Sequence, residues 1–283
     1  MTRRRELERH RHSLAEIREI MNSMKTLAYM ETRKLDRFLD AQHAVVQNIE
    51  EVVTDLLGFY PETLPETTVT IPVYLVIGTE RGFCGDFNHA LLEHLESTQQ
   101  TSSADNSMLI LVGRKLYTLL EDDERVVAWF DGASVAEEVT SLLNQIVNDL
   151  TTLQDAHGVL TVFCLYHDAE ENIVMQKILP PFQDLRHKPP RYAHPPTMNL
   201  SPRELLGELV DAFLFATLHE MLYTSLMIEN HQRVMHLDGA VKHLDDESAE
   251  MARKANTLRQ EEIVEEIEVI LLSAASLGDK PNN

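Results

Sequence analysis

The sequence predicts an α/β protein in which a Rossmann-like central domain is joined to long N- and C-terminal helices that pair as an antiparallel, left-handed coiled coil. All but one of the eleven prolines fall between Pro61 and Pro202, and proline disrupts helix interiors. Both proline-poor ends carry helical periodicity, whereas the middle contains short β-rich runs. We therefore expect an N-terminal coiled-coil helix at 1–60, a central α/β domain at 61–200 and a C-terminal coiled-coil helix at 201–283.

The N-terminal segment carries a heptad seam for about seven repeats, with steps of three and four that never slip. Gly58 and Pro61 supply a stop signal. At about 1.5 Å per residue, the helix would extend roughly 85 Å, which no small domain can bury by itself. The seam positions are Leu7, His10, Leu14, Ile17, Met21, Met24, Ala28, Glu31, Leu35, Phe38, Gln42, Val45, Ile49, Val52 and Leu56.

The central segment alternates strand-like and helix-like runs, which is typical of parallel βαβ units. A further run at 172–179 predicts an edge strand, and the proline-rich 180–202 predicts a connector. The other predicted strands lie at about 69–77, 108–112, 126–130 and 159–166, and the predicted helices at about 88–97, 114–121 and 134–154.

The C-terminal helix has a clear start signal. Ser201 is a capping residue, Pro202 occupies the first helical position and Glu204 the third, which together predict a capping box. The heptad seam runs from Val234 and slips by one residue after Leu258. We expect this helix to be longer than the N-terminal one.

The connectivity predicts that the two end helices pair antiparallel, because one enters the central domain near residue 60 and the other leaves it near 201. A heptad period then implies a left-handed supercoil. Residues 1–37 hold ten Lys/Arg against six Asp/Glu, and residues 225–277 hold eleven Asp/Glu against five Lys/Arg. The opposite charges support this orientation. An alternative is that both helices fold back as a bundle.

Composition excludes several function classes. The net charge of −21 and the pI near 4.9 argue against a nucleic-acid or anionic-membrane surface. The two cysteines, Cys84 and Cys164, have no disulfide or metal-ligand spacing and fit a reducing compartment. No run is apolar enough to cross a bilayer, and the basic start lacks the apolar stretch of a secretory signal.

The stretch "VIGTERGFCGDFN" at 76–88 raises the question of a phosphate-binding loop. A nucleotide P-loop needs a lysine for the outer phosphates and a hydroxyl for magnesium, whereas Glu80, Arg81 and Asp86 follow Gly78 here. The dinucleotide pattern also fails, because Gly78 and Gly82 are four residues apart. The stretch therefore predicts a tight strand-to-helix turn.

A second cluster, Cys164 with His167 and Asp168, could suggest a metal site or a thiol nucleophile. No second ligand pair is spaced to complete such a site, so we interpret it as a strand end beside a loop. The sequence contains no catalytic triad, carboxylate dyad or cofactor fingerprint. We expect a protein that is not an enzyme and that holds no cofactor and no metal.

Three motifs, in order, resemble those of the gamma subunits of F-type ATP synthases, the central shaft of a rotary motor. Ile20–Ala28 with Arg33–Leu35 resembles the family's "ITKAMKMVA…KLR". Glu80–Asn88 is similar to "DRGLCGGFN". Leu258–Ile263 through Leu272–Leu277 resembles "ARQAxIT…EIVSGAAAL". With the layout of long helix, α/β domain and longer helix, the resemblance covers essentially the whole chain.

The resemblance implies a non-catalytic rotor subunit that couples ion flow through the membrane sector to ATP synthesis or hydrolysis. It implies as partners the alpha and beta subunits of the catalytic hexamer, an epsilon-type subunit and the membrane c-ring, and no nucleic acid. The chain would lie peripherally on the cytoplasmic face of the plasma or inner membrane, attached through the complex.

The resemblance also assigns residues. Met24 and Lys25, with Arg259 and Gln260, would face loops of the catalytic subunits. A last segment, from Ala274 to Leu277, would seat in an apolar bearing. The residues of the structural turn would be Gly78, Arg81, Gly82, Cys84 and Gly85.

The chain departs from the family pattern in several places. It is far more acidic, and Asp86 stands where the family has a second glycine. Glu261 and Glu262 follow Arg259-Gln260, and Leu237–His243 stands where the family has an Asp-Asn-Ala segment. These differences suggest a divergent branch, which includes the alternate F-type ATPases that translocate sodium. The cysteine pair of the light-regulated chloroplast form is absent.

Two other classes of function compete with the rotor. The heptads fit a non-rotary coiled-coil adaptor or scaffold with an α/β head equally well. A small-molecule α/β enzyme would bind nucleotide or metal on its own.

Overall fold

Along the chain, one long helix precedes the strands of a sheet and a second long helix follows them. The computed structural model describes residues 3–65, 70–101, 107–168, 172–186 and 188–278. Short 3-10 helices lie at Pro61–Thr63, Ala136–Glu138 and Gln183–Leu185. The main elements are α1 Arg3–Phe59, β1 Ile71–Ile77, α2 Phe87–Thr101, β2 Met108–Val112, α3 Arg114–Tyr117, β3 Val126–Phe130, α4 Val139–His157, β4 Leu160–His167, β5 Ile173–Leu179 and α5 Pro202–Gly278.

The five strands form one mixed sheet in the order β3-β2-β1-β4-β5. The first four are parallel, and β5 runs antiparallel to β4 at one edge. Leu75 of β1 lies between Ile110 of β2 and Cys164 of β4. The α/β class and the edge strand after 172 are confirmed, and the structure supplies the strand order.

The sheet buries side chains on both faces, as expected when helices cover a parallel sheet. Val73, Leu75 and Ile77 of β1 join one apolar cluster, which α4 and part of α5 complete. Tyr74 and Val76 join a second cluster, on the side of α2 and α3. The near-continuous apolar run of β1 follows from this two-sided burial.

The three predicted helices of the central segment differ from the structure. The prediction of 88–97 is too short, because α2 continues to Thr101. The prediction of 114–121 is too long, because α3 ends at Tyr117 and gives way to turns in which Leu119 and Leu120 donate to carbonyls three residues back. The prediction of 134–154 starts too early, because a 3-10 turn precedes α4. The helix then continues to His157 and ends at Gly158, whose φ is 84°.

The chain divides into two compact units, Met1–Leu27 with Val234–Asn283 and Ala28–Arg233. In the first, which we call the shaft unit, ion pairs join the helices. As the residue number of the α1 partner increases, that of the α5 partner decreases, so the helices are antiparallel, as predicted. The left-handed supercoil stays a prediction. The ion pairs are Arg4 with Glu262 at 3.1 Å, Arg18 with Asp245 at 2.5 Å and Lys25 with Asp238 at 3.1 Å.

The second unit, which we call the head unit, contains the sheet and the remaining parts of α1 and α5. These two helical segments also contact each other antiparallel. Gln42 Nε2 donates to the Ala216 carbonyl at 3.0 Å, and the rings of Phe38 and Tyr223 stack at 6.0 Å. Each helix is a single uninterrupted element in the described residues.

The start of α5 has the predicted capping box. The Glu204 amide donates to Ser201 Oγ at 3.3 Å, and the Ser201 amide donates to Glu204 Oε2 at 3.0 Å. The pKa of Glu204 lies below its usual value because Ser201 donates to it. This reciprocal pair satisfies two amides that a helix start would leave unpaired.

Among the helices of the described ranges, none combines the length and the apolarity that a membrane crossing requires.

Candidate functional site

The glycine loop, residues 78–86, connects the end of β1 to the start of α2. A Cβ on Gly78 would lie 2.5 Å from the Leu116 Cβ and 2.7 Å from Asn88 Oδ1. Gly85 has a φ of 63°, in the left-handed region that glycine adopts without strain. Packing and backbone geometry therefore account for these two glycines.

Side chains of the protein itself accept hydrogen bonds from three amides around the loop. Glu80 Oε2 accepts from the Arg114 amide at 3.0 Å and from the Gly132 amide at 2.7 Å. Asn88 Oδ1 accepts from the Thr79 amide at 3.0 Å. A phosphate cradle needs amides that point at the ligand, and here Glu80 already supplies the negative charge at two of them. The geometry is that of a closed turn.

A buried arginine ties the loop to α5. Arg233 donates from Nε to the Gly82 carbonyl at 3.1 Å and from Nη2 to Cys84 Sγ at 3.2 Å. It also donates from Nη1 to Asn230 Oδ1 at 2.9 Å and from Nη2 to Glu229 Oε1. The side chains of Glu229 and Arg233 are each 5% exposed. We call Cys84, Glu229, Asn230 and Arg233 the arginine clamp.

Burial sets the protonation chemistry of the clamp. Desolvation raises the pKa of Glu229, and the adjacent Arg233 guanidinium opposes that rise. Burial, with the nearby Glu229 carboxylate, raises the pKa of the Cys84 thiol to about 12. The thiolate is the nucleophilic form of cysteine, so Cys84 is an unreactive packing and hydrogen-bonding residue at neutral pH.

The cluster at the end of β4 is also packed into the sheet. Cys164 is fully buried, and burial raises the pKa of its thiol. His167 Nε2 lies 3.0 Å from the Phe87 carbonyl oxygen, and its ring centroid is 3.8 Å from that of Phe87. Within the described ranges, no group of three or more His, Cys, Asp or Glu side chains could hold a metal ion.

The residues assigned to the partner interface have different environments. Lys25 Nζ pairs with Asp238, which also pairs with Lys242 at 2.9 Å. Met24 is half-buried, and Arg259 and Gln260 are exposed. Lys25 is therefore engaged within the shaft unit. The side chains of Ala274 and Leu277 lie outside the described residues, although α5 extends through Gly278. The interface assignments stay predictions.

The last described part of α5 carries an exposed apolar segment that precedes the predicted bearing residues Ala274–Leu277. Seven apolar side chains from 263 to 272 are 46–71% exposed. They surround the helix instead of following one stripe, and the ion pair nearest the start of α1 joins Arg4 to Glu262. The slip of the heptad after Leu258 was the available signal. We call these residues the apolar end: Ile263, Val264, Ile267, Val269, Ile270, Leu271 and Leu272.

Comparisons with known proteins agree with this architecture. A family model described as ATP synthase matches residues 3–277. The chain is 21% identical over 280 positions to the ATP synthase gamma chain of Clostridium perfringens, covering 94% of this chain and 95% of that one. It is 23% identical over 295 positions to the ATP synthase gamma chain of Heliobacterium modesticaldum, covering 97% and 99%.

Solved structures show the same fold. A chain of the Euglena gracilis mitochondrial ATP synthase rotor superposes with a TM-score of 0.62 at 13% identity, covering 92% of this chain and 98% of that chain. A chain of the Euglena gracilis OSCP/F1/c-ring structure also gives 0.62, at 16% identity, covering 99% and 97%.

Proposed function

This chain belongs to the ATP synthase family, and from that premise we propose that it is the gamma subunit, the central rotor shaft of an F-type ATP synthase or ATPase. Its turning couples ion flow through the membrane sector to ATP synthesis or hydrolysis at the catalytic subunits. The coupling ion is a proton or sodium. The observation that carries the proposal is the family match over residues 3–277, which includes both long helices and the sheet.

The contacts within the shaft unit suit this role. A shaft must keep the register of its helices while it turns, and Arg4, Arg18 and Lys25 each pair with a carboxylate of α5. Exposed ion pairs contribute little to stability, so their value lies in orientation and register. An asymmetric shaft can impose different conformations on identical catalytic sites as it rotates.

The apolar end is the part of the shaft that we assign to a bearing in the catalytic hexamer. Exposed apolar patches larger than a few hundred Å² mark interaction sites, and this segment has apolar side chains all round the helix. The proposed bearing contact thus begins near Ile263 and includes the Ala274–Leu277 segment. Arg259 and Gln260, which are exposed just before it, face loops of the catalytic subunits.

The remaining partners follow from the same role. The head unit contacts an epsilon-type subunit and the membrane c-ring, and Met24 contributes to the contact with the catalytic subunits. The subunit is non-catalytic, and its glycine loop and arginine clamp are structural. It lies peripherally on the cytoplasmic face of the plasma or inner membrane, held there by the complex.

The test is to co-express this chain with the alpha and beta subunits of its own organism, purify by a tag on this chain and measure native mass and ATP hydrolysis. We expect a hexamer-plus-shaft complex of several hundred kilodaltons, on the order expected for one shaft with six larger subunits, and turnover that falls when the chain is omitted. A monomer or homodimer without ATPase activity would overturn the proposal.

A point variant tests the bearing. Leu271→Glu places a charge on a side chain that is 62% exposed, so the fold should persist while seating in an apolar bearing is disfavoured. We expect lower rotation-coupled ATP hydrolysis or weaker assembly. Val159→Glu, at a head-unit residue that is 54% exposed, is the matched control. Equal activity in the two variants would contradict the bearing assignment.

A further inference from the structure

The free edge of β3 is a surface to which none of the residues assigned above belongs. We propose that this edge is a docking strand, onto which an extended, basic segment of another protein chain adds as a sixth strand of the sheet. The proposal stands on the sheet and its charges and does not depend on the shaft role.

The first step is topological. β3 is the outermost strand of the sheet and, within the described residues, pairs only with β2. A strand at a sheet edge presents unpaired backbone N–H and C=O groups on its outer side, which form a ready template for another strand. Addition of a peptide strand to such an edge is a recurring mode of recognition.

The second step is the apolar character of the same strand. Val127 and Trp129 are 45% and 42% exposed. The pairing of β3 with β2 shifts register between Leu109 and Ile110, which places Val127 at the irregularity. The Trp129 ring stacks on Tyr117 with centroids 4.4 Å apart and planes 11° from parallel. Held in this way, Trp129 offers a fixed apolar surface for the side chains of an added strand.

The third step is the contrast with the opposite edge. Proteins protect edge strands with charged residues, especially lysine, and with proline. β5 has the exposed Lys177 within it and is followed directly by Pro180 and Pro181. β3, with the sequence Val-Val-Ala-Trp-Phe, has neither. β3 therefore lacks these two forms of protection, although its pairing with β2 is irregular at Val127.

The fourth step is charge, which selects the occupant. Glu121, Asp122 and Glu124 are exposed in the turn that leads into β3. Asp123 holds the one basic residue of that turn, Arg125, with Nη2 of the arginine 2.6 Å from Oδ2 of the aspartate. The entrance to the edge is therefore acidic and complements a segment with lysine or arginine at the facing end.

A second copy of this chain is a poorer occupant. The net charge of −21 opposes association between copies. Parallel pairing of two β3 strands would also place the acidic turns side by side. The proposal therefore commits to a basic partner segment.

The chain carries its own probe, because Trp129 is its single tryptophan. The experiment titrates the purified full-length chain with a synthetic peptide of alternating valine and threonine flanked by lysines, and follows tryptophan emission. We expect a saturable blue shift that weakens as salt is raised. Two control peptides test the mode of binding: one has proline at its centre, which removes ladder donors, and one has glutamate flanks.

Variants of the chain test the site. Val127→Lys puts a charge on the edge and should weaken binding by about fivefold or more. Val159→Lys, at an exposed valine that precedes β4, should bind as the parent does. Far-ultraviolet circular dichroism of both variants verifies the fold.

The proposal is overturned if the basic peptide produces no saturable shift or if Val127→Lys binds as tightly as the parent. It is also overturned if the proline or glutamate peptide binds equally well, because then neither strand addition nor charge governs binding. A concentration-dependent dimer that Val127→Lys abolishes would identify a second copy as the occupant and refute the basic partner.

Discussion

Different interactions stabilise the head unit and the shaft unit internally. The core of the head unit includes Leu75 of β1, Ile110 of β2 and Leu143 of α4, whose side chains have no exposed surface. The arginine clamp adds a buried polar network. In the described part of the shaft unit, only four apolar side chains are buried, while three ion pairs join the helices. The four are Leu14, Leu237, Val241 and Ala255.

The difference indicates that the buried core of the head unit contributes most of the folding stability and that the ion pairs of the shaft unit fix helix register. Full burial of a leucine contributes about 1.5–3 kcal/mol, whereas exposed ion pairs contribute little. We therefore expect substitutions at buried positions of the head unit to lower the free energy of unfolding more than substitutions in the shaft unit do. In the shaft unit, the ion pairs mainly fix the register of the two helices. Partner subunits that cover the apolar end would supply burial that the shaft unit lacks.

The largest effect is expected from removal of the buried cation of the clamp. Arg233→Ala leaves Glu229 buried without its partner, which typically destabilises by about 3–5 kcal/mol. Urea unfolding of the full chain measures the free energy of unfolding. Arg253→Ala, at an exposed arginine of the same helix, is the control and should change that free energy by less than about 0.5 kcal/mol.

A double variant separates lost charge pairing from lost packing. Glu229→Gln with Arg233→Met removes both charges, so we expect it to be more stable than Arg233→Ala alone. If Arg233→Ala unfolds with the same midpoint as Arg253→Ala, the clamp does not stabilise the head unit.

A smaller loss is expected at the glycine loop. Gly78→Ala places a Cβ 2.5 Å from Leu116 Cβ, so this buried side chain must shift, and overpacking costs about 1–3 kcal/mol. Gly82→Ala is the matched control in the same loop, because a Cβ there would meet nothing within 4 Å. Thermal unfolding of both variants measures the difference. Equal midpoints would show that the loop adapts and that its glycines are not required for packing.

The sequence predicted the sheet better than the polar interactions around it. Strand β2 lies where its apolar run placed it, because burial on both faces produces a local signal. Strand β3 lies where its β-branched and aromatic residues placed it. The clamp was not predicted, since Arg233 and Gly82 are far apart in the sequence and only the fold brings them together.

The candidate site shows the same limit. The resemblance named Lys25, but its ion pair with Asp238 depends on the register between two helices. Charge totals of the two segments indicated the orientation and could not choose among the carboxylates of α5. Conversely, the heptad slip after Leu258 was visible in the sequence. Only the exposed fractions of the side chains at the apolar end show that apolar residues beyond the slip are left uncovered.

The smallest effect is expected in the shaft unit, where Arg18 and Asp245 meet across the helices at 2.5 Å. A double-mutant cycle with Arg18→Gln and Asp245→Asn should give a favourable but small coupling in urea unfolding at about 0.1 M salt, and a smaller one at about 1 M, where the Debye length falls from about 10 Å to about 3 Å. A parallel cycle with Asp246→Asn, at the neighbouring residue, should give no coupling. A coupling that persists unchanged at high salt would mean that the pair acts through packing and not through charge. Burial alone would then distinguish the interactions of the two units.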